Sequence, residues 1–360
     1  MTSPDGGPPD APGPATVPAD DGGGESTTTV VLALAANVLI ALAKTAAAVM
    51  TGAASMLAEA AHSWADTGNE VFLVVAQRRA ARPADVSHPF GYGREVYVWS
   101  MFAAIGLFAV GAGVSVTHGV HSLVHPDPAS DLHVAYAVLG VAFVLEGTSF
   151  LQAWRQSRAE ARRRERGLLE QVLKTSDPTV RAVFFEDAAA LVGLVIAAGG
   201  IVAQQVTGSP VPDAVGSILV GLLLAWVAFV LIERNLRFLV GETVDPALQA
   251  AGLRLLLAMP QVARVTQLHV EVVGARRVLV TGAVDLTGDP GETDAARELA
   301  QVETQLRAVP GVAGVVLSLA EAHEPSLVPT VTRAGAGVAV VPAPGAAPGV
   351  SPADGTPGSP

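Results

Sequence analysis

Six long apolar segments constrain the fold of this chain more than any other feature of its sequence. A helix needs roughly 20 mostly apolar residues to cross the hydrocarbon core of a bilayer. Inside lipid, every backbone N–H and C=O group must find a partner within the protein, which a helix provides by itself. The sequence therefore predicts an α-helical membrane protein with six transmembrane helices. They cover residues 28–50, 55–80, 95–123, 132–154, 179–205 and 213–235.

The composition supports this prediction and narrows the classes of partner. Charged residues make up 15% of the chain, whereas soluble domains carry about 25%. The formal net charge of −11 argues against a nucleic-acid partner. The chain contains no cysteine. Any bound metal ion would therefore depend mainly on His, Asp and Glu side chains.

The distribution of Lys and Arg predicts the orientation of the helices. Basic residues follow the second, fourth and sixth segments, whereas the loops at 51–54, 124–131 and 206–212 carry no Lys or Arg. Because short cytoplasmic loops are enriched in Lys and Arg, both chain termini are predicted to be cytoplasmic. The arginines after the fourth segment also suit contact with anionic membrane lipids.

The two ends of the chain differ in character from the apolar part, residues 28–240. Residues 1–27 are rich in Pro, Gly and Asp and lack the basic start of a signal peptide, so we interpret them as a disordered N-terminal tail. Residues 241–325 combine helical and period-two patterns, which predict a small cytoplasmic αββαβ domain. Residues 326–360 are again rich in Pro and Gly, and we interpret them as a disordered C-terminal tail.

Polar residues interrupt the second apolar segment. Glu59, His62, Asp66 and Glu70 fall within one arc of roughly 80° on a helix. An ionised side chain at the centre of a transmembrane helix costs about 2.5–3.5 kcal/mol, so such residues usually face the protein interior and serve a function. Lys44, in the first segment, is instead expected to snorkel outward. The second helix is therefore predicted to present one polar stripe to its neighbours.

His62 and Asp66 are the strongest candidates for metal ligands in this stripe. Their i, i+4 spacing places both side chains on one face, one turn apart. A neutral imidazole and a carboxylate can share one divalent cation, with two further ligands supplied by another helix. The fifth segment offers Glu186 and Asp187, which point about 100° apart. The residues alone leave open which of these two contributes, and they also leave open a proton relay or a stripe that lines water.

Three motifs and the domain order resemble the cation diffusion facilitator family of divalent-metal/proton antiporters. "HSWADTGNE" (62–70) resembles the helix-two motif of the family, and "SHPFGYGREVY" (87–97) resembles its signature in the first basic loop. "DPTVRAVFFEDAAALVG" (177–193) resembles helix five. With the αββαβ domain, the resemblance spans about residues 28–325, and it is greatest to the branch that contains the mitochondrial zinc exporter.

The resemblance implies a set of metal ligands. His62 and Asp66 match the helix-two ligand pair of the family. On helix five, Asp187 matches the second ligand position and is the first choice, with Glu186 as the second choice. Val183 stands where most members carry the other helix-five ligand, and this is a departure from the family pattern.

A weaker auxiliary metal site is implied in the first basic loop. Its positions read Asp85 and His88, followed by Tyr92 in place of a second His. The resemblance further implies that the C-terminal domain makes the protein a homodimer. No catalytic residue is proposed, and an enzyme is not expected, because the chain has no HExxH pair or evident nucleophile.

The function implied is efflux of a divalent cation in exchange for protons. One nitrogen and two or three oxygen ligands suit Zn²⁺, while Mn²⁺, Fe²⁺ and Co²⁺ remain open. The alternative is a membrane protein that senses metal or protons, or assists assembly, without transport. We expect a multi-pass protein of the bacterial cell membrane.

Overall fold

The computed structural model describes residues 27–125, 132–332 and 335–341. Its membrane part consists of long helices joined by short loops. One of them is a single rod, Glu95–Val124, with a π-helical stretch, Leu107–Ala112, near its middle. In chain order the helices are α1 (Thr27–Thr51), α2 (Ala54–Ala80), α3 (Glu95–Gly106), α4 (Gly113–Val124), α5 (Leu132–Arg163), α6 (Leu168–Lys174), α7 (Pro178–Thr207) and α8 (Val211–Val240).

Five of the described helical rods are long and apolar enough to cross a membrane. Helix α2 is not among them, because its polar stripe lowers its hydropathy. Its 27 residues nevertheless span about 40 Å, and it packs against α1, α3, α7 and α8. The prediction of six membrane helices followed by a small sheet domain is confirmed by this arrangement.

Close contacts at two glycines hold α4 against α8. A Cβ atom placed on Gly119 would lie 2.7 Å from Ile218 Cγ1, and one on Gly221 would lie 2.6 Å from Val116 Cγ2. Neither position has room for a larger side chain. Small residues at crossing points let membrane helices approach closely and gain van der Waals packing.

The start of α2 is held by α8. The Asp213 carboxylate accepts hydrogen bonds from the backbone N–H of Ala54 and from the N–H and hydroxyl of Ser55. The two N–H groups are orphan donors of the first helical turn, which a carboxylate stabilises. The contact fixes where the polar stripe of α2 begins relative to α8.

The C-terminal domain has the predicted αββαβ order. The central strand is β2 (Arg277–Leu286), which is antiparallel to β1 (Val262–Gly274) and parallel to β3 (Val312–Leu319). Apolar side chains of both helices and of the sheet form one buried core. The elements are α9 (Pro246–Leu257), β1 (Val262–Gly274), β2 (Arg277–Leu286), α10 (Glu292–Arg307) and β3 (Val312–Leu319).

A β-hairpin follows this domain where a disordered tail was predicted. Strands β4 (Ser326–Thr332) and β5 (Gly335–Val341) pair in antiparallel register. Leu327 and Val338 pack against the domain core, and this packing offsets the turn-prone composition of the segment. The prediction of disorder from residue 326 is therefore wrong for these strands. The remainder of that predicted tail, residues 342–360, and the predicted N-terminal tail up to residue 26 lie outside the described residues.

The α2–α3 loop joins the membrane part to the C-terminal domain. Gly93 approaches the backbone of Val273 and Gly274 so closely that a Cβ atom on Gly93 would collide with the Val273 carbonyl oxygen. Arg94 forms an ion pair with Glu271 of β1. Because backbone meets backbone here, the position of the loop depends directly on the sheet.

Candidate metal site

The structure brings His62 and Asp66 together on one face of α2. His62 is fully buried, and its Nε2 atom lies 3.3 Å from Asp66 Oδ2, whose side chain is 22% exposed. The predicted i, i+4 neighbourhood of an imidazole and a carboxylate therefore exists. Asp66 lines a cavity, whereas His62 is not among its lining residues.

Several polar atoms of the stripe lack partners. Within the part of the chain that the structure describes, His62 Nδ1 and Asp66 Oδ1 have no hydrogen-bond partner, and His62 Nε2 faces only Asp66 Oδ2. Buried polar atoms in proteins are nearly always hydrogen-bonded, and an exception calls for an explanation such as an unseen ion or water. These nitrogen and oxygen atoms are the donor types that Zn²⁺ and related ions accept.

Glu186 and Asp187 of α7 face different neighbours. Glu186 is buried and accepts a hydrogen bond from the Asn69 side-chain amide of α2. Asp187 accepts a hydrogen bond from the Ser149 hydroxyl of α5 at 2.7 Å. The divergence is the one expected for consecutive residues on a helix. Glu186 is thus tied to α2, and Asp187 to α5.

Both carboxylates open onto the same cavity of about 550 Å³ between α1, α2, α5 and α7. Asp66 also lines it, so one carboxylate of α2 and two of α7 share a single space. Val183 contributes methyl groups to the wall, which makes the departure from the helix-five pattern a physical gap in the donor set. The other polar residues that line the cavity are Asn37, Ser63, Asn69, Glu70, Glu146 and Ser149.

The four predicted residues do not yet form a closed coordination shell. Among the described residues, no three His, Cys, Asp or Glu side chains are arranged to hold a metal ion together. The hydrogen bonds of Asn69 and Ser149 hold the two α7 carboxylates against different helices. Glu186 Oε1 has no hydrogen-bond partner among the described residues, so this oxygen is available to a metal ion while Oε2 keeps its bond to Asn69.

Lys44 is the residue for which the sequence-based expectation is wrong. It does not snorkel outward but is fully buried. Its Nζ atom lies 3.0 Å from Glu59 Oε2 and 2.7 Å from Glu146 Oε1. Two carboxylates from other helices offset its charge, and this removes the need to reach water. The acidic residues in the second and fourth segments were the available signal for this pairing.

Asn69 was also overlooked by the sequence reasoning. It follows Asp66 by three residues and His62 by seven, so helical spacing already placed it on the same stripe. Its amide holds Glu186 of α7. The periodicity that identified the charged residues would have found this neutral one.

The predicted auxiliary site has a different character. The Asp85 carboxylate accepts hydrogen bonds from the Ser87 N–H and hydroxyl, from the His88 N–H and from the Tyr92 hydroxyl. The bonds from Ser87 and Tyr92 hold the pKa of the Asp85 carboxyl below its usual range. The His88 ring stacks on Tyr92, with centroids 3.9 Å apart. The loop thus supplies the partners of Asp85 itself, and a metal ion there stays a prediction.

Comparison with known proteins places the chain in a family. The family model for the cation efflux transmembrane domain matches residues 30–240, which include α2, α7 and the cavity between them. The chain belongs to the cation diffusion facilitator family. Members of this family are transporters rather than enzymes, and the chain is an integral, multi-pass membrane protein.

The most similar relatives include mitochondrial and plant proteins. The "Proton-coupled zinc antiporter SLC30A9, mitochondrial" of Xenopus laevis is 36% identical over 258 residues, which cover 72% of this chain and 46% of the relative. "Metal tolerance protein C4" of Arabidopsis thaliana is 35% identical over 233 residues, or 65% of this chain and 51% of the relative. The chain spans about half the length of these curated relatives. The predicted similarity to the branch with the mitochondrial zinc exporter is confirmed.

A more distant relative shares a smaller region. The "Magnetosome protein MamM" of Paramagnetospirillum magneticum is 27% identical over 116 residues, which cover 32% of this chain and 36% of the relative. The family's cargo is a divalent metal cation, and efflux of such a cation is the activity that its members share.

Proposed function

We propose that this chain exports Zn²⁺ in exchange for protons. The observation that carries the proposal is the His62–Asp66 pair, in which His62 Nδ1 and Asp66 Oδ1 lack partners, beside a cavity lined by Asp66, Asp187 and Glu186. The printed names of the relatives, which include a proton-coupled zinc antiporter, support zinc and proton coupling. Mn²⁺, Fe²⁺ and Co²⁺ accept the same donor types and are the competing cargoes.

In the proposed site, His62 and Asp66 supply one nitrogen and one oxygen ligand. Asp187 supplies the first ligand from α7, and Glu186 a further oxygen where Val183 supplies none. Asp187 must turn from Ser149 toward α2, whereas Glu186 can ligate through its unpartnered Oε1 and keep its bond to Asn69 through Oε2. Binding would therefore draw α7 and α2 together at the expense of the α5 contact.

Proton coupling follows from competition for the same atoms. An imidazole titrates near neutrality and must be neutral to ligate a metal. Metal arriving from the cytoplasm displaces the proton of His62, and a proton arriving from the opposite side displaces the metal. Each transport cycle then exchanges the two cations at one pair of residues.

Proteoliposomes test this proposal directly. Purified full-length protein is reconstituted with a Zn²⁺-sensitive dye and a pH-sensitive dye, and an imposed Zn²⁺ gradient is expected to drive opposite fluxes of Zn²⁺ and protons. His62→Ala is expected to abolish both fluxes. His269→Ala is the matched control, because it removes an exposed imidazole from β1 of the C-terminal domain and should leave both fluxes unchanged.

The possible results separate the candidate functions. Zn²⁺ binding that depends on His62 without any flux would favour the metal-sensing or assembly alternative. Zn²⁺ flux without proton movement would contradict antiport alone. Equal fluxes in His62→Ala and the wild type would contradict the proposed site.

We further propose a homodimer in the bacterial cell membrane, with both termini in the cytoplasm. The loops rich in Lys and Arg lie at the same end of the bundle as the C-terminal domain, as the distribution of positive charge requires. Chemical cross-linking of the full-length chain in membranes tests the homodimer. A His269→Cys variant, altered at an exposed position of β1, tests on which side of the membrane the C-terminal domain lies. Labelling of this cysteine by an impermeant reagent from outside intact cells would contradict the orientation.

A further inference from the structure

A buried ion triad lies beside the candidate metal site. Lys44 of α1 contacts Glu59 of α2 at 3.0 Å and Glu146 of α5 at 2.7 Å. Lys44 and Glu59 are fully buried, and Glu146 has only 14% of its side chain exposed. Three charges from three membrane helices therefore meet away from bulk water. Such groups are expensive to place in a membrane and mark functional positions.

The two carboxylates resemble half of a cation site. Each uses one oxygen for Lys44, while Glu59 Oε1 and Glu146 Oε2 are buried without a hydrogen-bond partner among the described residues. Oxygen-only sites built from carboxylates suit hard divalent cations such as Mn²⁺, Mg²⁺ and Ca²⁺. The ammonium group occupies the position between the two carboxylates where such a cation would bind.

The triad adjoins the site without being part of it. Glu146 lines the same cavity as Asp66 and Asp187, and Glu59 precedes His62 by one helical turn on the side away from the C-terminal domain. Space for Glu59 depends on Gly193 of α7, since a Cβ atom there would lie 2.6 Å from Glu59 Oε1. Glu146 lines the cavity whereas Glu59 and Lys44 do not, so a cation would reach the place of the Lys44 ammonium past Glu146 once Lys44 is replaced.

We propose that Lys44 is a tethered cation that fills a second divalent-cation subsite formed by Glu59 and Glu146. It thereby limits the cavity to one metal ion and removes an oxygen-rich subsite that would favour hard cations over Zn²⁺. Lys44 is thus a specificity-determining residue. This inference rests on the proposed function, because it assumes that the cavity receives a divalent cation.

Removal of the lysine charge should uncover the subsite. Full-length protein in detergent is titrated with Mn²⁺ and followed by electron paramagnetic resonance, because bound Mn²⁺ loses the sharp spectrum of the free ion. Lys44→Gln is expected to bind one more Mn²⁺ per chain than the wild type. Lys44→Arg, which keeps the charge, should bind no more than the wild type. The double variant Lys44→Gln/Glu146→Gln should lose the additional ion.

The outcomes bear separately on the inference and on the proposed function. Equal Mn²⁺ binding by Lys44→Gln and the wild type would overturn the inference, and so would an extra ion that persists in the double variant. If Lys44→Gln aggregates, added Mn²⁺ should restore a folded elution profile, because the metal replaces the missing charge; aggregation with Mn²⁺ present would also overturn it. A parallel Zn²⁺ titration of the wild type and His62→Ala tests the proposed function, which fails if neither binds.

Discussion

Two His–Asp pairs in this molecule have almost the same spacing and opposite surroundings. His62 and Asp66 lie in α2 at i, i+4, while Asp85 and His88 lie in the following loop at i, i+3. Atoms of the membrane pair are buried without partners, whereas Asp85 accepts bonds from four donors of its own loop. Spacing predicts which residues meet. The hydrogen bonds that they have left to form indicate whether a ligand is needed.

Backbone geometry explains the difference. In the middle of a helix every N–H already bonds to a carbonyl four residues earlier, so Asp66 has no backbone donor available. In the loop, the Ser87 N–H bonds to the Asp85 side chain, and the His88 N–H bonds to both the side chain and the carbonyl of Asp85, as in an Asx turn. A carboxylate placed inside a helix therefore needs partners from other helices or from a ligand.

The largest expected effect concerns the two aspartates. Asp66→Ala removes a proposed ligand and should lower Zn²⁺ transport by at least the roughly 100-fold that is the upper range for loss of an outer-shell partner. Asp85→Ala breaks a loop whose bonds are internal, and the loss should stay below about tenfold. Initial rates of Zn²⁺ uptake into proteoliposomes measure both. An equal loss of transport in the two variants would show that the number of hydrogen bonds an aspartate already accepts does not indicate whether it binds metal.

Much of the fold and half of the site followed from periodicity, because the deciding interactions are local. Helix lengths, the αββαβ order and the His62–Asp66 contact depend on residues a few positions apart. The environment of Lys44 does not, since Glu146 is 102 residues away. The pairing of β4 with β5 was likewise missed, because packing on the domain core outweighs the turn-prone composition of that segment.

The next effect separates the two carboxylates of α7. Asp187→Ala removes the proposed first ligand from α7 and should lower Zn²⁺ transport by about 10–100-fold. Glu186→Gln keeps an oxygen able to accept from Asn69 and should cost less. The two variants are compared by complementation: each is expressed in cells that lack the native gene, and growth is measured at toxic Zn²⁺ concentrations. Full complementation by the Asp187 variant with none by the Glu186 variant would reverse the order.

A gain of affinity is expected where the wall of the cavity lacks a ligand. Val183 lines the cavity one turn before Asp187, so Val183→His would place an imidazole at the missing position. Zn²⁺ should bind about tenfold tighter, which corresponds to about 1.4 kcal/mol, and release should slow. Isothermal titration of detergent-solubilised protein measures the affinity, with Val183→Leu as the control for volume. Unchanged affinity would mean that Zn²⁺ does not bind near α7 at this depth.

The smallest expected effect comes from the loop, where Tyr92→Phe removes one of the four donors to Asp85. The aromatic ring remains to stack on His88, and the Ser87 and His88 donors keep the turn. Zn²⁺ transport should change by less than about twofold.

The pKa of Asp85 in this variant should rise toward its ordinary value, because Tyr92 is one of the groups that lower it. NMR titration of the labelled Asp85 carboxyl detects this change. Because the pKa of Asp85 is lowered in the folded protein, the Asp85 carboxylate stabilises the loop at pH values above the ordinary carboxyl pKa. This stabilisation disappears as the pH falls through the pKa of Asp85 in the folded protein. The variant, in which that pKa is higher, should therefore lose loop order at a higher pH than the wild type. A large loss of transport in Tyr92→Phe, restored by added Zn²⁺, would instead indicate that the loop binds metal and that the contrast with the membrane pair is one of affinity.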